Sequence, residues 1–153
     1  MAQFIIRAAR PQDIDLILAL ERQAGTAAHW SRAQYEVIFQ PDAPPRLCLI
    51  AESEEIQGFL VAQTAGPEWE LENIVVAPAA RRNGLAKQLI RELLRHARQQ
   101  GALAVLLEVR PSNAAARALY EGCGFVRTGS RPSYYHDPQE DAVVFRHNLS
   151  EST

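Results

Sequence analysis

A chain of 153 residues and 17.0 kDa is the size of one domain, long enough to bury about two-thirds of its unfolded surface. Hydrophobic residues at 47% and charged residues at 22% exclude an extended disordered chain. A net charge of −2, from 16 basic and 18 acidic residues, excludes a protein that coats nucleic acid or is held to a membrane by bulk charge.

The distribution of charge is more informative than its sum. Between Glu52 and Ala80 there are six acids (Glu52, Glu54, Glu55, Glu68, Glu70, Glu72) and no base, whereas between Arg81 and Arg98 there are six bases and one acid, Glu92. Two cysteines, Cys48 and Cys123, are too few for a disulfide framework or a structural zinc site, and two buried thiols are expected rather than a bridge. No charged-then-apolar leader opens the sequence, and no apolar run approaches the ~18 residues of a membrane span, so a cytoplasmic protein is expected. One domain over residues 1–150 is expected, without repeat or linker.

In chain order, Phe4 to Ala8 reads as a strand. Pro11 suits a first helical turn, and Ile14, Ile17 and Leu18 share one face of a helix running towards Gln23. Ser31 with Gln34 forms a capping box for a second helix, and Trp30 with Tyr35 occupies the positions of a hydrophobic staple. Pro41, Pro44 and Pro45 end that helix. Leu47–Ala51, Gly58–Thr64 and Trp69–Val76 read as an antiparallel meander broken at Glu52–Glu55 and at Gly66-Pro67. The third of these strands alternates acids with apolar residues and then becomes Ile74-Val75-Val76, apolar on both faces, as if entering the interior halfway along.

A loop from Ala77 to Asn83 leads into the longest expected helix. Leu85, Ala86, Leu89, Ile90, Leu93, Leu94 and Ala97 fall on one half of its circumference, Lys87, Arg91, Arg95 and Arg98 on the other, and Gly101 ends it. Leu103–Val109 reads as a buried strand carrying one acid, Glu108. After Pro111, Ser112 or Asn113 caps a short helix through Tyr120, ended by Gly122 and Gly124. Phe125–Thr128 and Val143–Leu149 form a last antiparallel pair around a polar, aromatic excursion from Arg131 to Asp141. The order β-α-α-β-β-β-α-β-α-β-β gives a mixed α/β domain.

Three places could carry chemistry. The stretch from Arg81 to Lys87 joins a strand to a helix start, where unpaired N–H groups, the helix dipole and Gly84 would suit a diphosphate; it equally fits a glycine turn beside a solvated basic face. Glu108 in a buried strand is costly unless paired or used. It is either a general base, helped by partial burial, or half of a salt bridge with Arg110 or Arg117. Tyr120 could protonate a leaving group or pack with Leu119 and Phe125.

Together, Arg81-x-x-Gly84-x-Ala86 and Asn113-x-x-Ala116-x-x-Leu119-Tyr120-x-x-x-Gly124-Phe125, with Leu107-Glu108-Val109-Arg110 before the second motif, resemble the GCN5-related N-acetyltransferases over nearly the whole chain. Trp30-Ser31, Ser112-Asn113-Ala114-Ala115-Ala116, Arg131-x-x-Tyr134-Tyr135 and Glu140-Asp141-Ala142 are similar to the bacterial branch that acetylates the N-terminal alanine of a ribosomal protein.

The resemblance implies an α/β fold with a mixed, mostly antiparallel sheet, a V-shaped splay between the fourth and fifth strands, and helices on both faces. It implies acetyl-CoA as cosubstrate, with Ile74, Val75 and Val76 pairing with the pantetheine arm and thioester. Arg82, Asn83, Gly84, Leu85, Ala86 and Lys87 would hold the pyrophosphate, and Asn113 would meet the pantetheine. It further implies Glu108 as base and Tyr120 as acid, with Glu70 and Glu72 as rival bases, and Arg131 to Tyr135 as part of the acceptor wall. Ala86 stands where glycine is more usual in the family, and His29 where proline often precedes the tryptophan. The acceptor implied is the N-terminal α-amine of a small-subunit ribosomal protein, with no metal, direct nucleic acid or membrane involved, by a monomer or weak dimer. The alternatives are another protein terminus or a small-molecule amine as acceptor, or a non-catalytic acyl-CoA-binding module.

Overall fold

Seven strands pair in the order β1-β2-β3-β4-β5-β7-β6 to form one sheet. The computed structural model describes residues 4–24, 30–81 and 83–149. β1 (Ile5–Ala8) is followed by a 3-10 turn at Pro11–Asp13 and by α1 (Ile14–Arg22); α2 is Arg32–Ile38. The meander is β2 (Arg46–Glu52), β3 (Ile56–Gln63) and β4 (Glu68–Val76), and a 3-10 turn at Pro78–Ala80 leads to α3 (Leu85–Gln99). β5 (Ala104–Val109), α4 (Ala114–Gly122), β6 (Val126–Tyr135) and β7 (Glu140–Asn148) complete the chain. All pairings are antiparallel except β4 with β5.

The helix starts form as their sequences require. Ser31 Oγ accepts from the Gln34 amide at 3.1 Å and Gln34 Oε1 accepts from the Ser31 amide at 2.7 Å, the reciprocal capping box. The Trp30 and Tyr35 rings lie 5.3 Å apart, completing the staple. α3 buries Leu85, Leu89, Ile90, Leu93 and Ala97 against the sheet. Gly101 at φ +80° then turns the chain back towards β5. At Gly58 a Cβ would meet the Val75 carbonyl at 3.0 Å and two α3 leucines at 3.5 Å, so glycine there lets strand and helix approach closely.

The sheet separates two apolar clusters. One lies under α3 and α4 and includes Leu60, Leu71, Leu89, Leu107 and Phe145; the other lies under α1 and α2 and includes Ile17, Tyr35, Phe59, Val61 and Val75. Cys48 is buried and Cys123 half-buried, both free thiols as expected.

Two expectations are corrected. β4 does not enter the interior halfway along; it keeps alternating, but its pairing with β3 passes from Val61↔Asn73 to Ala62↔Leu71 and skips Glu72. This bulge flips the strand, so Trp69 and Leu71 face α3 while Asn73 and Val75 face α1 and α2. The Ile74-Val75-Val76 run is apolar because each face after the bulge meets a core. Secondly, Arg131 to Tyr135 are strand rather than excursion: β6 runs to Tyr135 through two register shifts, and only a short turn remains before β7. β6 is an edge strand exposed along almost its whole length, so it carries no apolar alternation by which to recognise it.

Candidate active site

β4 and β5 pair only at Glu68↔Ala104, Trp69↔Val105 and Glu70↔Leu106. Beyond Glu70 they separate, while β5 stays paired with β7 along its whole length. The splay opens a cleft of about 1320 Å³. Ile74, Val75 and Val76 line one wall, Glu108 and Val109 the other, and Asn113, Ala116 and Tyr120 of α4 close one end. Trp30, Asn73, Tyr134 and Tyr135 line the remaining side.

The structure therefore brings Ile74, Val75, Val76, Ala86, Glu108, Asn113 and Tyr120 to a single cleft. Val76 also accepts a hydrogen bond at its carbonyl from Arg81 Nε at 3.3 Å. Asn113 caps α4, its Oδ1 accepting from the Ala116 amide at 3.1 Å. Gly84, at φ +73°, is the N-cap of α3 and offers no side chain to it. The first helical bond is Gln88 N–H to Gly84 C=O at 3.0 Å, so the amides of Leu85, Ala86 and Lys87 precede the ladder and point outward as donors. The side chain of Leu85 itself is core, and that of Lys87 leans against Gly122 of α4 rather than lining the cleft. Asn83 is exposed in the turn; Arg82, like His29, lies outside the described residues.

Glu108 is paired, but not with Arg110 or Arg117. Its Oε2 accepts from Arg131 Nη1 at 2.9 Å. Arg110 instead serves Glu140 and the carbonyls of His136 and Pro138, holding the β6–β7 turn. The reason is alternation: Glu108 projects from the face of β5 opposite α3 and α4, and there the edge strand β6, beyond β7, supplies Arg131. Glu72 is committed as well, accepting from Arg46 Nε at 2.8 Å and Nη2 at 3.3 Å. Glu70 has no hydrogen-bond donor among the described residues. Burial, and then the neighbouring carboxylates of Glu108 and Glu72, push its carboxyl above the usual range. Tyr120 packs against Phe125 and Phe145, with ring centroids 6.0 and 6.5 Å away, and burial pushes its phenol up to about 12. The phenol is therefore neutral across physiological pH.

Behind the cleft lies a polar group that sequence reading did not single out. Glu21 of α1 accepts from Tyr35 Oη at 2.5 Å, from Asn73 Nδ2 at 2.9 Å and from the Trp30 amide at 3.0 Å. Glu21 follows Ile14, Ile17 and Leu18 at helical spacing, and an acid on an apolar stripe was the available signal.

Comparison with known proteins agrees with this geometry. Residues 14–125 match the family model described as the acetyltransferase (GNAT) family. The chain is 37% identical over 97 residues to the [ribosomal protein bS18]-alanine N-acetyltransferase of Escherichia coli K12, a match covering 62% of this chain and 66% of that protein. It is 32% identical over 136 residues to the enzyme of the same name from Haemophilus ducreyi, covering 87% and 92%. The crystal structure of the E. coli ribosomal-protein-S18-alanine N-acetyltransferase superposes with a TM-score of 0.84 at 28% identity, covering 99% of this chain and 97% of that one. The parallel, splayed β4–β5 pair, the open helix start after it and the family match over most of the domain place this chain in the acetyltransferase (GNAT) family.

Proposed function

We propose that this protein transfers the acetyl group of acetyl-CoA to the α-amine of a protein N-terminus, the terminal alanine of a small-subunit ribosomal protein, in the cytoplasm. The observation that carries the reading is the placement of Glu108 and Tyr120 on one cleft, at the point where β4 leaves β5. The two relatives named above, each an alanine N-acetyltransferase, support the acceptor class.

In this reading the unpaired edge of β4 at Ile74–Val76 pairs with the pantetheine arm. Asn113 meets the same arm, and the loop Arg82 to Lys87 holds the pyrophosphate on open helix amides. Glu108 takes a proton from the acceptor ammonium, directly or through one water, and the neutral amine attacks the thioester carbon. A β4 amide near Val75 or Val76 steadies the oxyanion. As the C–S bond breaks, Tyr120 donates its proton to the departing thiolate; the second proton of the former amine leaves through solvent and restores the Tyr120 phenol, and Glu108 releases its own proton to solvent. An α-amine has a pKa of about 7.7–8.0 against about 10.4 for lysine, a difference of roughly 3.5 kcal/mol in deprotonation, so a single carboxylate suffices for the former.

The test is an acetyl-CoA turnover assay over peptides that differ at the first residue. An amine-blocked, lysine-containing peptide and free polyamines serve as controls. Acetylation of Ala-starting peptides, with kcat lowered about 100-fold in Glu108→Gln and in Tyr120→Phe, supports the reading. Equal acetylation of the blocked peptide, or wild-type turnover in Glu108→Gln, overturns it.

A further inference from the structure

A smaller cavity of about 220 Å³ lies at the base of the splay, where Glu70 of β4, Glu108 of β5 and Arg131 of β6 meet. The charges around it are otherwise matched. Glu68 at its rim accepts from Arg146 Nη1 at 2.5 Å, Glu72 is held by Arg46, and Arg110 is held by Glu140. Tyr134 and Tyr135 face Glu108 from β6, both phenols raised first by burial and so neutral, and His136 and Asp137 line the cleft from the turn beyond them. The group left over is two carboxylates, Glu70 and Glu108, sharing one guanidinium.

That guanidinium is held by weak contacts. The Arg131 side chain is 57% exposed, against 13% for Glu108. Its carbon lies 4.3 Å from the Tyr134 ring centre, an exposed cation–π contact worth about 0.5–1 kcal/mol. β6 is irregular just here: its register shifts between Arg131 and Tyr135, and Ser133 sits at φ +51°. Glu108, by contrast, is on a central strand paired over its whole length. A cation arriving from the cleft can displace Arg131 without disturbing Glu108.

We propose that Arg131 is a positioning residue that stands in for the acceptor: in the free protein its guanidinium occupies the place beside Glu108 and Glu70 that the acceptor ammonium takes on binding. Glu70 is then the second carboxylate of the ammonium site, and the Glu70–Glu108 pair selects acceptors that arrive protonated. This rests on the reading of Glu108 as base. It adds an exchange of one cation for another, after which the guanidinium swings out along the exposed edge of β6.

The test compares wild type, Arg131→Gln, Glu70→Gln and the double variant, with an Ala-starting peptide as acceptor. Steady-state rates are measured from pH 5.5 to 9. Removing the competing cation should lower the acceptor KM of Arg131→Gln at pH 8 by about threefold, the range of an exposed ion pair. Arg131 draws the Glu70 carboxyl downward, so without the guanidinium Glu70 holds its proton more strongly and the acid limb of kcat/KM should move up by about one pH unit. Glu70→Gln should raise the acceptor KM with kcat nearly kept, and in the double variant the limb should return towards wild type. An Arg131→Gln protein whose acceptor KM is unchanged or raised, or whose acid limb stays in place, overturns the proposal, because a purely structural arginine would behave so. Turnover by Glu108→Gln, measured in the same series, fails the base assignment separately.

Discussion

The hydroxyl of Tyr35 on α2 donates to the carboxylate of Glu21 on α1 at 2.5 Å, and both residues are sealed from solvent. Asn73 joins them from the first residue after the bulge in β4. The group therefore fastens the segment that precedes Ile74–Val76 to the helical layer beside it. Tyr35→Phe removes one donor from a buried carboxylate, which costs about 1–3 kcal/mol. Chemical denaturation should show that loss, and the KM for acetyl-CoA should rise as the wall loosens. Unchanged stability would mean that water replaces the hydroxyl.

Arg7 donates to both carboxylate oxygens of Asp13, at 2.9 and 3.0 Å, and to Glu52 at 2.8 Å, tying β1 and the end of β2 to the start of α1. The guanidinium holds the Asp13 carboxyl below its usual range. A folded-state pKa depressed in this way adds stability that is fully present above the unfolded value of about 3.9 and is lost as pH falls through the folded one. Asp13→Asn should therefore be less stable than wild type by about 3 kcal/mol at pH 7. The gap in Tm should narrow steadily below pH 4. A gap that does not change between pH 7 and pH 3 would contradict this assignment.

Gly84 and Gly124 both have positive φ, +73° and +88°, but their surroundings differ. A Cβ at Gly124 would meet the His147 ring at 3.0 and 3.1 Å, whereas at Gly84 nothing lies within 4 Å. Gly84→Ala should lose only the backbone strain, about 1–2 kcal/mol. If the proposed pyrophosphate site is right, the variant should also show a higher KM for acetyl-CoA, because the methyl group would stand beside that site. Gly124→Ala adds a clash to the strain and should lose about 1–3 kcal/mol more. Thermal denaturation of the two variants side by side decides between these environments.

Lys87, Arg91, Arg95 and Arg98 are exposed on α3, which follows the loop proposed to hold the pyrophosphate, and Glu70 and Glu72 of β4 line the cleft. Raising salt should raise the KM for both acetyl-CoA and a cationic acceptor, since exposed charges are screened over about 10 Å at 0.1 M ionic strength. Values that do not respond to salt would reduce both charge stretches to solvated faces.

The order of elements, the capping box at Ser31, the amphipathic split of α3 and the position of Glu108 on a buried strand were legible in the sequence. Each depends on residues close together in the chain, where helical and strand periodicities and cap chemistry act directly. Family motifs then brought Glu108, Asn113 and Tyr120 to one site, and the structure places all three on the same cleft.

What the sequence did not disclose depends on contacts between distant segments. The bulge at Glu72 is a property of the β3–β4 register, so a strand read alone looks as if it changes character. The partner of Glu108 is Arg131, 23 positions away, because β7 and β6 follow β5 in the sheet; the nearer arginine, Arg110, is taken by the β6–β7 turn. β6 is exposed on both faces and shows no apolar period. Length, composition and local pattern determined a mixed α/β domain, and the resemblance of its motifs pointed to the acetyltransferase (GNAT) family. Only the tertiary structure decided which charges meet, because an ion pair across a sheet is fixed by strand order and register, and neither is written in any single stretch of the chain.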